Sequence, residues 1–341
     1  MSTPDDRIAL RHGAGGPAMR HLVETLFARG AQPHPDVVGL DALDDGAAIR
    51  LGERWLVFTT DSHVVAPPFF PGGDIGRLAV CGTVNDLAMM GATEPLGLSL
   101  ALVLEEGFAR KDLERIRDSI EAACAESGAR ILTGDTKVMG RGELDGVVLN
   151  TAGLGFARRL VRDDGLRPGD AILVTGTVGD HGLAVLAHRH ELEGGAALRS
   201  DVAPLNGLVA AALAAGGDAI AAMKDPTRGG VASALVEMAR KSGVGVVVEE
   251  AALPVRPPVR AVAELLGIDP LMVANEGKAL VAVRPEQEPA VLAALRAHPL
   301  GREAARIGRC VAEPVGRVVL DTGFGRRLVV EPDGELLPRI C

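Results

Sequence analysis

Aromatic side chains are nearly absent from this 341-residue chain, which has one Trp, seven Phe and no Tyr. With a net charge of −9 and no basic block, that scarcity argues against nucleic-acid binding by base stacking or phosphate tracking. Cysteine is also sparse. Cys81, Cys124, Cys310 and Cys341 lie far apart without a C-x-x-C pair, so neither a zinc knuckle nor a disulfide framework is indicated, and the first three read as buried thiols. No apolar run reaches the roughly 18 residues of a membrane span, because Gly, Lys or Asp interrupts each one, including the run ending at Val248. The stretch Met1 to Leu10 carries Asp5, Asp6 and Arg7, unlike a secretory leader. The expectation is a cytoplasmic enzyme with no membrane or nucleic-acid partner. The acidic balance leaves a nucleotide substrate open, since magnesium can neutralise phosphates.

Apolar residues are plentiful. A hydrophobic content of 47% supplies a core large enough for two domains. Behind the glycines of His12-Gly13-Ala14-Gly15-Gly16 a helical pattern runs through Val23 to Phe27. Strand-like runs follow at Ala47 to Leu51 and Trp55 to Thr60. Next come a helix at Ile75 to Met90, a strand at Leu96 to Leu104, an amphipathic helix at Arg110 to Ser127, and strands at Ala129 to Leu132 and Val147 to Phe156. This is a mixed α/β unit, residues 1–157. Charged, turn-rich residues 158–169 read as a linker. Strands at Ala171 to Thr175, Gly245 to Val248 and Ala279 to Val283 alternate with helices at Gly182 to Glu191, Leu205 to Ala215, Gly230 to Ser242, Val259 to Leu266 and Val291 to Ala297. They predict a second α/β or α+β domain over residues 170–321. From Thr322 the pattern decays into Gly, paired Arg and Pro, so residues 322–341 read as a mobile tail. Its roughly 20 residues could extend on the order of 65 Å.

Several segments carry potential chemistry, each beside a plainer reading. The loop of Gly13, Gly15 and Gly16 can present backbone N–H groups to phosphate at a helix start, or be a simple turn, as it matches neither a Walker A loop nor G-x-G-x-x-G. Acidic residues recur beside Gly, Thr or Asn at segment ends, in Asp44-Asp45-Gly46, Thr60-Asp61-Ser62, Asn85-Asp86 and Gly134-Asp135-Thr136-Lys137. Together they could hold magnesium with ATP phosphates; singly each could be a cap or turn. Lys137 could contact a phosphoryl oxygen or be a surface charge. Arg228 and the Gly229 and Gly230 amides open a helix, as an anion site or a capped turn. Glu276 could be a general base or pair with Lys278. Cys341, a thiol on a polar tail, is either incidental or reactive, and core packing does not account for it.

Taken in order, these pieces closely resemble the HypE family of hydrogenase expression/formation proteins, over nearly the whole chain. HypE belongs to the superfamily of aminoimidazole ribonucleotide synthetase, selenophosphate synthetase and thiamine-monophosphate kinase. The resemblance also takes in Phe69-Phe70-Pro71-Gly72-Gly73, Leu104-Glu105-Glu106-Gly107, Gly179-Asp180-His181-Gly182, Thr227-Arg228-Gly229-Gly230 and Asn275-Glu276-Gly277-Lys278. The terminal Pro338-Arg339-Ile340-Cys341 is its most specific element. It implies a two-domain aminoimidazole ribonucleotide synthetase-like fold, α/β plus α+β, with an N-terminal sheet that forms a homodimer. It also implies that the carbamoyltransferase HypF loads Cys341, that ATP and Mg2+ drive dehydration of the S-carboxamide to a thiocyanate, and that cyanide passes to the HypC–HypD scaffold for nickel-iron hydrogenase. On that analogy Asp44 (with Asp45 as fallback), Asp61, Asp86 and Asp135 hold metal and phosphate. Gly13, Gly15, Gly16 and Arg228 bind nucleotide, and Glu276 and Lys137 flank the carboxamide, the direction of proton transfer between them left open. Asp225-Pro226 and Met89-Met90 depart from the pattern without touching that chemistry. Another member such as selenophosphate synthetase, or a non-catalytic maturation scaffold, is the rival reading. The Gly-rich loop has no cysteine, which weakens the selenium alternative.

Overall fold

Two sheets share a boundary built around one almost wholly buried helix. The computed structural model describes residues 7–192, 194–332, 334 and 339–341. Helix α1 (Pro17–Leu26) starts directly behind Gly16, with Pro17 placed where the missing N–H has no helical partner to lose. Strands β1 (Val37–Val38), β2 (Ala47–Leu51) and β3 (Arg54–His63) follow, and the short ribbon β4 (Phe69–Phe70) and β5 (Gly73–Asp74) leads into α2 (Ile75–Met89). Asp74 caps α2 by accepting from the Gly76 and Arg77 amides at 2.8 and 3.0 Å. Then come β6 (Pro95–Glu105), α3 (Arg110–Ser127), β7 (Ile131–Met139) and β8 (Val147–Ala157). The sheet order is β1-β2-β3-β8-β6-β7. Only β6 and β7 are parallel, and α3 supplies the crossover that a parallel pair needs.

All of α2 except Arg77 and Asp86 is buried, because it has the first sheet on one side and the second half of the chain on the other. Close approach to β8 depends on Gly153, where a Cβ would stand 2.7 Å from Thr83 Cγ2. The second half contributes β9 (Ala171–Val174), α4 (Asp180–Arg189), α5 (Asn206–Gly216), β10 (Ile220–Lys224), α6 (Gly230–Ser242), β11 (Gly245–Glu249), α7 (Pro257–Leu266), β12 (Leu280–Val283), α8 (Glu288–Ala297), β13 (Ala305–Val311), β14 (Val318–Asp321) and β15 (Arg326–Val329). They form a sheet of order β10-β12-β9-β13-β11-β14-β15. Its central strands β9 and β12 are buried throughout, with α6 packed on one face and α5 and α8 on the other.

The open face of the first sheet exposes Phe58, Leu96, Leu154 and Phe156, and edge strand β7 is exposed at every position. Sequence periodicity places a strand at Ala129 to Leu132. The strand instead runs from Ile131 to Met139, so Asp135 and Lys137 sit mid-strand rather than at a strand end. Glycine and charge hide the alternation there. Strands β10 and β13 to β15 have no counterpart in the sequence reading. The segment read as a linker buries Val161, Asp163 and Leu166. Of the segment read as a mobile tail, Arg326–Val329 pairs with β14, and residues 339–341 dock beside β3. Pro338 and residues 1–6 lie outside the described residues. No described helix is long and apolar enough to cross a membrane.

Candidate active site

A cleft of about 320 Å³ opens where α1, β3 and α2 meet β10, α6 and the loop before β12. It is lined by Gly15, Gly16, Asp44, Asp45, Asp61, Asp86, Arg228, Glu276 and Cys341, so most residues singled out in the sequence converge here. Gly15 has φ +76°, and a Cβ on it would stand 2.7 Å from Arg228 Cβ; the loop packs onto Arg228 because no side chain intervenes. The Gly13 carbonyl accepts from Arg228 at 3.5 Å. Asp135 and Lys137 do not join the cleft of their own chain. They pair with each other at 2.8 Å on exposed β7.

Asn85 and Asp86 divide the labour of the end of α2. Asn85 is buried and ties the domains together, donating to the Ala203 and Glu276 carbonyls and accepting from the Leu205 amide at 2.7 Å. Asp86 turns to the cleft and accepts from Thr59 Oγ1 at 2.8 Å. Glu276 is held by its backbone, whose amide donates to Asp201 at 3.0 Å, and its buried Oε1 has no partner. Gly277 is needed there, since a Cβ would meet the Asp201 carbonyl at 1.8 Å. The Glu276–Lys278 pair considered from the sequence is not formed, because Lys278 binds Asp201 at 2.9 Å.

The acids repel one another in low dielectric. Burial, followed by Asp225, Asp61 and Asp45, holds Asp86 well above the usual carboxylate range. Burial and Asp45 push Asp225 to about 8, while burial and Asp163 push Asp44 to about 7. Glu276 is raised by burial, Asp225 and Asp61. Asp44 is tied to Arg162 at 3.4 Å, whereas Asp45 binds Lys224 at 2.6 Å with one oxygen and leaves buried Oδ2 without a partner.

Sequence reasoning missed the residues that hold this acid cluster in place. Lys224 also reaches Asp163 at 3.2 Å, and Lys241 bridges Asp163 and Glu237 at 2.7 and 3.0 Å. These buried charges connect the interdomain segment to β10 and α6, and each depends on its partners. Asp225, set aside with Pro226 as a departure from the pattern that does not touch the chemistry, instead lines the cleft. His63 is buried behind Asp61, at 3.7 Å from it. A strand assignment for β10 would have exposed Lys224 and Asp225 as a strand end facing α6.

Described tail residues carry Cys341 into the same cleft. Val64 and Ala66 amides donate to the Cys341 and Arg339 carbonyls, each at 3.0 Å, and Ile340 is buried. Burial pushes the Cys81 and Cys310 thiols up to about 12, which leaves them poor nucleophiles. Cys124 is half-buried rather than fully so, and burial raises it as well.

Two domains of this topology, with acids and a glycine loop at their junction, define an AIR synthase-related protein. Residues 43–157 match the model for the AIR synthase related protein N-terminal domain, and residues 167–321 the C-terminal domain. A carbamoyl dehydratase HypE from Rhizobium leguminosarum bv. viciae is 50% identical, over 100% of this chain and 97% of the relative. A crystal structure of the hydrogenase maturation protein HypE in complex with ATP has TM-score 0.79 and 44% identity, covering 98% of this chain and 100% of that one. HypE in a HypE–HypF complex has TM-score 0.84 and 42% identity, covering 91% and 99%. The chain belongs to the HypE family of carbamoyl dehydratases.

Proposed function

We propose that this chain uses ATP to dehydrate a carboxamide carried on its own Cys341 sulfur, giving a thiocyanate that supplies cyanide to the iron of nickel-iron hydrogenase. The observation that carries this reading is Cys341 itself, which lines one cleft with Asp86, Glu276 and the Gly15–Gly16 loop in a chain half identical to a carbamoyl dehydratase. The amide oxygen is a poor leaving group. Transfer of the ATP γ-phosphoryl group to that oxygen, with loss of one of the two N–H protons, gives an imidoyl phosphate, and loss of the second N–H proton with phosphate completes the S–C≡N group. Gly15 and Gly16, ahead of α1, offer backbone donors for phosphate, and Arg228 adds a cation. Glu276 is suited to take the proton, because it lines the cleft, its buried Oε1 has no partner, and burial raises its basicity.

The donor set fits magnesium. Asp45, Asp61, Asp86 and Asp225 supply hard oxygens, and the free Asp45 Oδ2 is one coordination point. Among the described residues no three side chains already converge as a metal cage, so phosphate oxygens would complete the shell. Bound there, magnesium would neutralise charge on the phosphates. We assign Asp135 and Lys137 to the cleft of a second copy, reached when two open sheet faces pair along β7. Exposure of Leu132 at 63% and Val138 at 67% on that edge supports a homodimer. A HypE relative has been crystallised with HypF, and HypF is the proposed carbamoyl donor here, with HypC–HypD the cyanide acceptor and the cytoplasm the setting. ATP consumption tests the reading. It should require carbamoylated Cys341 and vanish in Cys341→Ala; equal consumption by the uncarbamoylated chain would overturn it.

A further inference from the structure

His181, in the Gly179-Asp180-His181-Gly182 piece, has no part in the chemistry above, yet it touches the tail one residue before the reacting sulfur. The ring is fully buried, near the start of α4. Its Nε2 lies 2.6 Å from the Ile340 carbonyl oxygen and its Nδ1 lies 2.8 Å from Ser200 Oγ. A carbonyl can only accept, so Nε2 carries the hydrogen. Ser200 Oγ already accepts from the Val202 amide at 3.1 Å, which leaves its own hydrogen for Nδ1. Both ring nitrogens are therefore satisfied in one neutral tautomer, and burial, which lowers the ring's basicity, favours that neutral form. Phe70 packs edge-on against the ring with centroids 5.4 Å apart, fixing its plane. Ser200 is itself anchored, its amide donating to the Pro71 carbonyl at 2.8 Å.

We propose that His181 is a positioning residue that seats the Cys341 sulfur by holding the Ile340 carbonyl through Nε2–H, with Ser200 setting the tautomer. A tail that must leave the cleft to be loaded and return to be dehydrated needs a seat that is specific but breakable. Beside the Val64 and Ala66 amides that hold the Cys341 and Arg339 carbonyls, the His181 bond to the Ile340 carbonyl adds a specific, breakable contact, because it recognises the carbonyl whatever group the sulfur carries. Withdrawal of the tail strands a buried N–H donor, so the bond favours return. The inference deepens the carbamoyl dehydratase reading and rests on it. Seating itself can be measured without ATP or a carbamoyl donor, so failure of one is distinguishable from failure of the other.

The test is the rate at which iodoacetamide alkylates Cys341 in the full chain, mapped by peptide mass, with buried Cys81 and Cys310 reporting whether the fold is intact. His181→Leu should raise Cys341 labelling about tenfold, the equivalent of ~1.4 kcal/mol, while Cys81 and Cys310 stay unlabelled. His181→Gln keeps an N–H near the Nε2 position and should stay within about threefold of the parent rate. In ATP turnover by the carbamoylated protein, the Leu variant should lower kcat and leave the KM for ATP unchanged, since His181 does not line the nucleotide cleft. If His181→Leu exposes Cys81 or Cys310, Ser200→Ala decides: faster Cys341 labelling supports the seat, and an unchanged rate overturns it. Parent-like Cys341 labelling in an intact His181→Leu protein, or a Gln variant as fast as the Leu variant, would also overturn it.

Discussion

Replacing Asp225 by Asn should make the empty protein more stable and its nucleotide binding weaker. Burial, followed by the charge of Asp45, raises this carboxyl from 3.8 to about 8. At pH 7 the unfolded chain has released a proton that the folded chain retains, and at about 1.4 kcal/mol per unit the ceiling on that cost is roughly 4 kcal/mol. Asp45 and Asp61 remain to repel each other in the variant, so about half the ceiling, roughly 2 kcal/mol, is the expected gain, or about 4–8 °C in Tm for a domain of this size. The sign follows from proton counts. An aspartate with a raised folded pKa binds more protons folded than unfolded between 3.8 and about 8, so the wild type loses stability as pH rises through that window. The variant lacks this slope. Calorimetric melts of both proteins at pH 5, 7 and 8.5 should show a gap that widens with pH. Titration with Mg-ATP should meanwhile show weaker binding, as a carboxylate of the proposed magnesium site has gone. A gap independent of pH, or an Asn variant less stable at pH 8.5, would refute the reasoning.

Further outcomes concern the metal-facing acids proposed above and the two residues placed at the carboxamide. Asp86→Asn and Asp135→Asn should each bind Mg-ATP less tightly in calorimetric titration. If Asp135 serves the neighbouring cleft, random mixing of the two variants should leave about a quarter of the clefts intact, because a symmetric dimer then holds one complete site in each mixed pair. No recovery on mixing would contradict the assignment of Asp135 to the neighbouring cleft. In single turnovers of carbamoylated protein, Glu276→Gln should still bind ATP but fail to release thiocyanate, and Lys137→Ala should slow phosphoryl transfer instead. A normal thiocyanate rate in Glu276→Gln removes it as the base, and the pair with Lys278 offers no alternative role because Lys278 is committed to Asp201.

Much of the fold was legible wherever apolar periodicity was uninterrupted. The helices Arg110–Ser127 and Gly230–Ser242 end where the spacing places them, because long amphipathic runs close on Gly128 and Gly243 in left-handed conformations. Strand β7 was cut short because Gly134, Asp135 and Lys137 break the alternation on a strand with no buried face. Strands β13 and β14 gain their order from β9 and β11, partners distant in sequence that local pattern does not encode, and β15 follows as the edge strand of a hairpin with β14. For the site, motif residues such as Asp86 and Glu276 were recognisable by type, whereas Lys224, Lys241 and Asp163 form a cluster only through tertiary contact. The docking of residues 339–341 could not be read from a polar segment, because its anchors, the Val64 and Ala66 amides and the His181 ring, lie far away in sequence.

The central claim is that Cys341 carries the carboxamide through dehydration within this cleft, and the mass of the C-terminal peptide tests it most directly. After the carbamoylated protein is incubated with Mg-ATP, that peptide should lose the mass of one water for each phosphate released, with the change mapped to Cys341. Phosphate release with the carbamoyl group intact, or a modification mapped to Cys81, Cys124 or Cys310, would contradict the account.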